Sequence, residues 1–439
     1  MKIPDSWTTA QLGSVANVQM GQSPDSTSYN KDKAGLPFFQ GKAEFGKLHP
    51  VVRKWCSAPA KIAESGDILL SIRAPVGPTN VADVQCAIGR GLAAIRVLDG
   101  INSSYLLQCL RSLAPQLAAK ATGTTFPAVG GDVVRSLELP VAPEAEQKRI
   151  ADKLDTVLTR VDAVNARLAR VAPLIKRFRQ SVLAAATSGR LTEDWRSANA
   201  STSDWDDAQI GDLLQEKPRN GYSPKAVDHE TPVRSLTLSA TTTGRFRAEC
   251  YKFVPDDIAP DSHLWLSKGD VLIQRANSLE YVGVSAIVDV EVHGYIYPDL
   301  MMKCRANSRT SPPFLHLLLS AESTRKYFRD NATGTAGNMP KINQQTVISA
   351  PCRVPGTAEQ SEIVRRVETL FAFADRLEAR LQAARTAAER LTPALLAKAF
   401  RGELVPQDPN DEPAAELLKR LAAGAPATTK RRGRPAKAA

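Results

Sequence analysis

The sequence predicts an α+β (mixed α/β) chain built as an internal repeat, two modules of short strands and helices each preceding one long helix. Three observations carry this: motifs echoed between the halves, a heptad pattern returning at a fixed offset, and strand-and-turn punctuation elsewhere. The second module follows the first long helix and precedes the second. The simplest packing is therefore an antiparallel helix pair with a pseudo-two-fold relation between the repeats.

The first module, residues 1–145, opens with Trp7-Thr8-Thr9-Ala10-Gln11-Leu12-Gly13 and then Ser23-Pro24. Short apolar runs at Asp67–Ile72 and Leu92–Val97, bounded by Gly, Pro and Asn, read as strands, and 104–119 reads as a helix. Residues 146–191 form the first long helix. Ile150, Leu154, Val157, Val161, Val164, Leu168, Val171, Ile175, Phe178 and Val182 are spaced alternately four and three apart, a heptad seam. Pro173 lies inside it and is expected to kink or break it locally. A linker is expected over 192–204, Ser-rich from Asn199 to Asp204.

The second module, residues 205–358, repeats the first. Trp205-Asp206-Asp207-Ala208-Gln209-Ile210-Gly211 and Ser223-Pro224 echo its opening. Gly269-Asp270-Val271-Leu272-Ile273 echoes Gly66-Asp67-Ile68-Leu69-Leu70, and Ala332-Thr333-Gly334-Thr335 echoes Ala121-Thr122-Gly123-Thr124. The offset drifts from 198 to 203 to 211, as surface-loop insertions would make it. Asp270–Ile273 and Val284–Val290 read as strands and 312–328 as helical. From Glu359-Gln360 the offset locks at 213: residues 146–191 align with 359–404 without a gap, 14 of 46 positions being identical. Such a run identifies one element used twice. Its seam is Ile363, Val367, Leu370, Ala374, Leu377, Leu381, Ala384, Ala388, Leu391 and Leu395, with Pro393 a second expected interruption. Residues 405–439 read as a flexible basic tail with one short helix at 413–422.

Composition excludes several classes. With 43% hydrophobic residues the chain buries a core, and no apolar run is long enough for a membrane span. The start, Met1-Lys2-Ile3-Pro4-Asp5-Ser6, carries no apolar run, so no signal peptide is expected. Six scattered cysteines without a Cys-x-x-Cys pair read as reduced thiols of a cytoplasmic protein. The five histidines never reach metal-ligand spacing, so no metal site is expected. Net charge is 57 − 46 = +11, of which Lys430, Arg431, Arg432, Arg434 and Lys437 supply five. The remaining +6 favours a polyanionic partner, nucleic acid first. Lys430-Arg431-Arg432-Gly433-Arg434-Pro435 resembles the Arg-Gly-Arg-Pro core of AT-hook segments.

Motifs that suggest catalysis fail on inspection. Gly41-Lys42-Ala43-Glu44-Phe45-Gly46-Lys47 has phosphate-loop spacing, but Leu48 stands where a magnesium-binding hydroxyl belongs. Ser311-Pro312-Pro313-Phe314 lacks the Asn or Asp of an amino-methyltransferase turn and reads as a helix start. Gly89-Arg90-Gly91 suits a turn before a strand. No catalytic residues are assigned. The candidates that remain are polar and basic loop residues, suited to phosphates and base edges. They are Gln40, Lys42, Arg73, Arg90, Lys120, Thr122 and Thr124 in the first module, and Arg234, Arg245, Arg275, Asn277, Lys303, Asn338 and Lys341 in the second.

The order module, helix, module, helix, with Glu-Gln opening each helix and Gly-x-Leu closing it, resembles the specificity subunit of type I restriction–modification systems. The residues that carry the likeness include Trp7, Leu12-Gly13, Pro37-Phe38-Phe39, Ile88-Gly89-Arg90-Gly91-Leu92-Ala93-Ala94-Ile95, Ala121-Thr122-Gly123-Thr124 and Leu139-Pro140. Ala397-Lys398-Ala399-Phe400-Arg401-Gly402-Glu403-Leu404 matches especially closely, so the likeness runs from residue 1 to about 405 and leaves out the tail.

The resemblance implies two target recognition domains separated by two long antiparallel coiled-coil helices, each domain reading one half of a split double-stranded DNA target. It implies docking of two modification subunits on the helix seams, through Ile150, Leu154, Val157, Val161 and Leu168 and through Ile363, Val367, Leu370, Leu377 and Leu381. It also implies a restriction subunit. S-adenosylmethionine, ATP and magnesium would belong to those partners, with no cofactor in this chain and no membrane. Two alternatives stay open: the recognition subunit of a related system that cuts beside its site, and a non-enzymatic coiled-coil scaffold that coats DNA. A methyltransferase fused to its own reader would need a cofactor loop, which is missing.

Overall fold

The computed structural model describes residues 3–123, 127–199, 205–334 and 339–424. The chain divides into two compact units, one of residues 1–168 with 384–439 and the other of 169–383. Each holds one module and a piece of each long helix.

In the first unit, Thr8–Gln11 pairs antiparallel with Glu138–Val141, tying the start of the module to its end. A four-stranded antiparallel sheet runs in the order Ala16–Met20, Leu92–Val97, Ile68–Ser71, Thr79–Val81. Short strands around Leu36–Phe39, parallel to Cys86–Ile88, form a second sheet. The helix Ser103–Ala119 packs its Tyr105, Leu106, Cys109, Leu110 and Leu117 into the core with Leu12, Val15, Ile68, Ile95 and Val134.

The second unit repeats this topology. Asp206–Gln209 pairs with Pro351–Val354, and a four-stranded sheet runs Arg219–Asn220, Met301–Cys304, Val271–Gln274, Ser285–Ile287. Val233–Leu236 lies parallel to Tyr295–Ile296. The echoed Gly-Asp motif now has a cause. Gly66 (φ 90°) and Gly269 (φ 92°) turn the chain through the left-handed region. The next residue, Asp67 or Asp270, is buried, caps that turn and binds an arginine, Arg96 Nε at 2.8 Å in one unit and Arg305 Nε at 2.7 Å in the other.

The long helices span Glu144–Thr187 and Thr357–Ala399. Within the first unit they run antiparallel: Leu158 and Leu396 line one cavity, while Arg385 Nη2 donates to Leu168 O at 3.3 Å. Within the second, Arg179 pairs with Asp375 (2.6 Å) and Glu378 (3.0 Å), and Arg366 Nη1 reaches back to Leu191 O at 2.8 Å. Ile150, Leu154, Val161, Ile175, Val182, Ile363, Val367, Ala374, Leu381 and Ala388 are buried as the seam requires. Ile150, Leu154, Val161, Ile363, Val367 and Leu381 are thus covered within this chain and are not the partner-docking surface expected of them. Val164 and Leu391 are corrections, 44% and 45% exposed.

Other expectations also change. Both helices run through Pro173 and Pro393 without a break. The helical stretch expected at 312–328 is two helices, Pro312–Ser320 and Glu322–Asp330, divided by the extended backbone of Ala321. The linker is structured up to the residues described: Glu193–Ala198 is a helix, Thr192 is buried and Arg196 pairs with Glu359. The region after 405 is not all tail. Ala414–Gly424 is the expected short helix, and its Ala414 and Leu417 are buried in the first core. The AT-hook-like residues lie outside those described. The six cysteines are free thiols. Among the described residues no helix is long and apolar enough to cross a membrane, and no group of His, Cys, Asp or Glu could hold a metal ion.

Candidate nucleic-acid interface

Loops of the first module converge on one edge, and backbone contacts hold them there. A Cβ on Gly89 would lie 3.1 Å from Gln40 Cα, and one on Gly91 would lie 2.3 Å from Gln40 O. Two glycines therefore let the Gly89-Arg90-Gly91 turn sit directly against Gln40. Ile72 N–H donates to Gly91 O (3.0 Å), which sets Arg73 beside this turn. Arg73 in turn bridges to Ala128, which pairs with Thr122. The Arg90 N–H donates to Ser23 Oγ at 3.4 Å. Gln40, Arg73, Arg90 and Thr122 thus share one exposed edge, with Lys42 exposed on the turn after Gln40 and Lys120 exposed at the end of its helix.

The phosphate-loop spacing is accounted for by the same loop. The Glu44 carboxylate accepts from Gly41 N (3.1 Å) and Gln40 N (3.3 Å), so amides that would cradle a phosphate already hold an anion. Ser311 Oγ caps the helix that follows it, accepting from Phe314 N at 3.3 Å.

The second module builds the corresponding edge by the same rules. Arg275 N–H donates to Leu300 O (2.8 Å), Ala276 bridges to Lys341, and Lys341 pairs with Thr333. Lys341 is exposed here. Arg275 is half-buried and lines a polar depression of about 350 Å³ with Lys217, Asn220, Asn343 and Gln344. Asn277 is half-buried too, donating to Gln274 Oε1 at 2.7 Å.

Three candidates serve the fold instead. Lys303 is 3% exposed; its Nζ donates to the carbonyls of His263 and Trp265 and lies 3.6 Å from Asp270. Burial lowers its pKa, and it has no path to a nucleic acid. Arg234 is half-buried with its guanidinium 5.4 Å from the Tyr251 ring and 5.5 Å from that of Tyr295, a cation–π clamp within the sheet. Arg245 is exposed, but it is tied at 2.6 Å to Asp375 of the long helix. Thr124 and Asn338 lie outside the described residues.

Sequence reasoning missed how each module is seated on its helix. The Trp7 indole donates to Glu146 Oε2 (2.9 Å), and the Trp205 indole donates to Glu359 Oε1 (3.2 Å). Next in line, Gln147 Oε1 accepts from Asn102 N (2.9 Å) and Gln360 Oε1 accepts from Ser311 N (3.0 Å). Asn102 and Ser311 are the N-caps of the module helices. All four Glu and Gln side chains are buried, and burial raises the Glu146 pKa against the pull of Trp7 and Gln407. The signal was in plain view: both Trp residues and both Glu-Gln pairs are repeat echoes.

A family model for the type I restriction modification DNA specificity domain matches residues 4–172. The specificity subunit of the type I restriction enzyme EcoKI, from Escherichia coli K12, is 29% identical, with 96% of each chain covered. The StySPI specificity subunit of Salmonella potsdam is 28% identical with the same coverage. Over nearly its whole length the chain is similar to type I restriction specificity subunits. A solved chain described under complex assembly and conformational transition of the type I R-M system matches at TM-score 0.67 and 18% identity. It covers 92% of this chain and 100% of that one, which shows a shared fold.

Proposed function

We propose that this chain reads a split double-stranded DNA target for a type I restriction–modification complex, one half-target per module. It is a recognition subunit and performs no catalytic step. The observation that carries this is the loop edge built twice from the same backbone contacts, in a chain similar over nearly its whole length to specificity subunits. Arg73, Arg90, Lys42 and Lys120 suit phosphates and guanine edges, and Gln40 suits adenine, so the first edge has the donors for duplex reading. The paired helices hold the two readers apart and dock two modification subunits, and a restriction subunit joins them. Adenine methylation with S-adenosylmethionine, and cleavage with ATP and magnesium, belong to those partners. The test is to express the chain with its modification partner in a methylation-free host and map N6-methyladenine. A bipartite motif with a fixed spacer is expected; a continuous motif, or methyl transfer by the purified chain alone, contradicts the reading.

A further inference from the structure

The two edges superpose node by node in their hydrogen bonds. Gly21 N donates to Leu92 O, and Gly221 N to Met301 O. Gln22 N donates to Ile88 O, and Tyr222 N to Tyr297 O. Arg90 N donates to Ser23 Oγ (3.4 Å), and Asp299 N to Ser223 Oγ (3.1 Å). Ile72 N donates to Gly91 O, and Arg275 N to Leu300 O. These equivalences agree on one offset: 297 − 88, 299 − 90, 300 − 91 and 301 − 92 all equal 209. The same node of the same loop therefore carries Arg90 in one module and Asp299 in the other, both exposed.

We infer that Arg90 and Asp299 are specificity-determining residues, Arg90 selecting a base pair by its guanine edge and Asp299 selecting one by an exocyclic amino group. This rests on the reading of each module as a half-target reader. A guanidinium offers paired donors that fit guanine O6 and N7. A carboxylate is repelled by every phosphate, so at a DNA-facing edge its use is to accept from a base amino group, cytosine N4 or adenine N6. Asp299 is prepared for that. The Ser223 hydroxyl donates to its Oδ1, which fixes the side chain before any ligand arrives. The half-targets then differ in hydrogen-bond character at one corresponding position, although the loops share a backbone.

The experiment uses the full chain with its modification partner, comparing methylation maps of the parent, Arg90→Ala, Asp299→Asn and Asp299→Ala. Arg90→Ala is expected to relax one base pair of one half-target by roughly ten-fold or more. The Asp299 variants are expected to relax one base pair of the other half only. Where a variant methylates too weakly to map, competition binding of the complex to duplexes with single base-pair changes replaces the map. The penalty at one position should then vanish while the others persist. Unchanged discrimination, or an equal weakening at every position in a normally melting variant, overturns the assignment and leaves the two-reader model standing. Changes in both half-targets from one substitution overturn the two-reader model itself.

Discussion

Gln360 shows how much one side chain settles. Its side chain is wholly buried; Oε1 accepts from Ser311 N, and Nε2 donates to the carbonyls of Pro355 (2.9 Å) and Arg309 (2.8 Å). Gln360→Leu strands those backbone groups and should cost about 3 kcal/mol of stability. Gln147→Leu loses fewer bonds, to Asn102 N and Ala142 O, and should cost less. Denaturant unfolding of both variants checks the order, and losses within error of zero contradict the seating role. A second residue gives a pH dependence. His316 lies against Ser285 Oγ (3.1 Å), and burial brings its pKa down to about 4. The fold thus favours the neutral ring. Its stabilisation is complete above the ordinary value near 6.5 and fades as pH falls toward 4, by a total on the order of 3 kcal/mol. His316→Gln should flatten the melting-temperature profile between those values; an unchanged acid slope argues against a buried neutral imidazole.

At the scale of elements, the helix ends depend on backbone that only glycine adopts easily. Gly189 (φ 81°) and Gly402 (φ 74°) close the two long helices, and a Cβ on Gly402 would stand 2.3 Å from Pro4 Cγ. Gly66 has the same left-handed backbone with nothing within 4 Å of its Cβ position. Gly66→Ala should therefore cost only the conformational strain, about 1 kcal/mol, and Gly402→Ala more, about 3 kcal/mol. Calorimetric melting of the pair decides it, and equal losses would mean that Pro4 yields freely. These closing glycines, the helix lengths and most of the seam were legible in the sequence because apolar period and glycine placement are local signals. Val164 and Leu391 were not, since periodicity marks an apolar position without saying whether a partner covers it. Lys303 was misread for the opposite reason. Met301-Met302-Lys303-Cys304 is a wholly buried strand, and a lysine there survives by satisfying carbonyls that only the tertiary fold brings to it.

For the whole molecule, the candidate site was half legible. Loop cations are exposed, as expected, where the loops are short and glycine-bound, as at Arg73 and Arg90. They were poorly chosen where a long side chain could reach another element, as Arg245 reaches Asp375. The repeat itself was the stronger signal, because two copies of one backbone imply two copies of one task. The central claim is that each module reads its half-target independently, and exchange of residues 1–145 for the matching module of a relative tests it most directly. N6-methyladenine mapping of the hybrid with the modification partner should show one half of the motif replaced, the other half retained and the spacer unchanged. A hybrid that alters both halves or the spacing, while still methylating, contradicts the account.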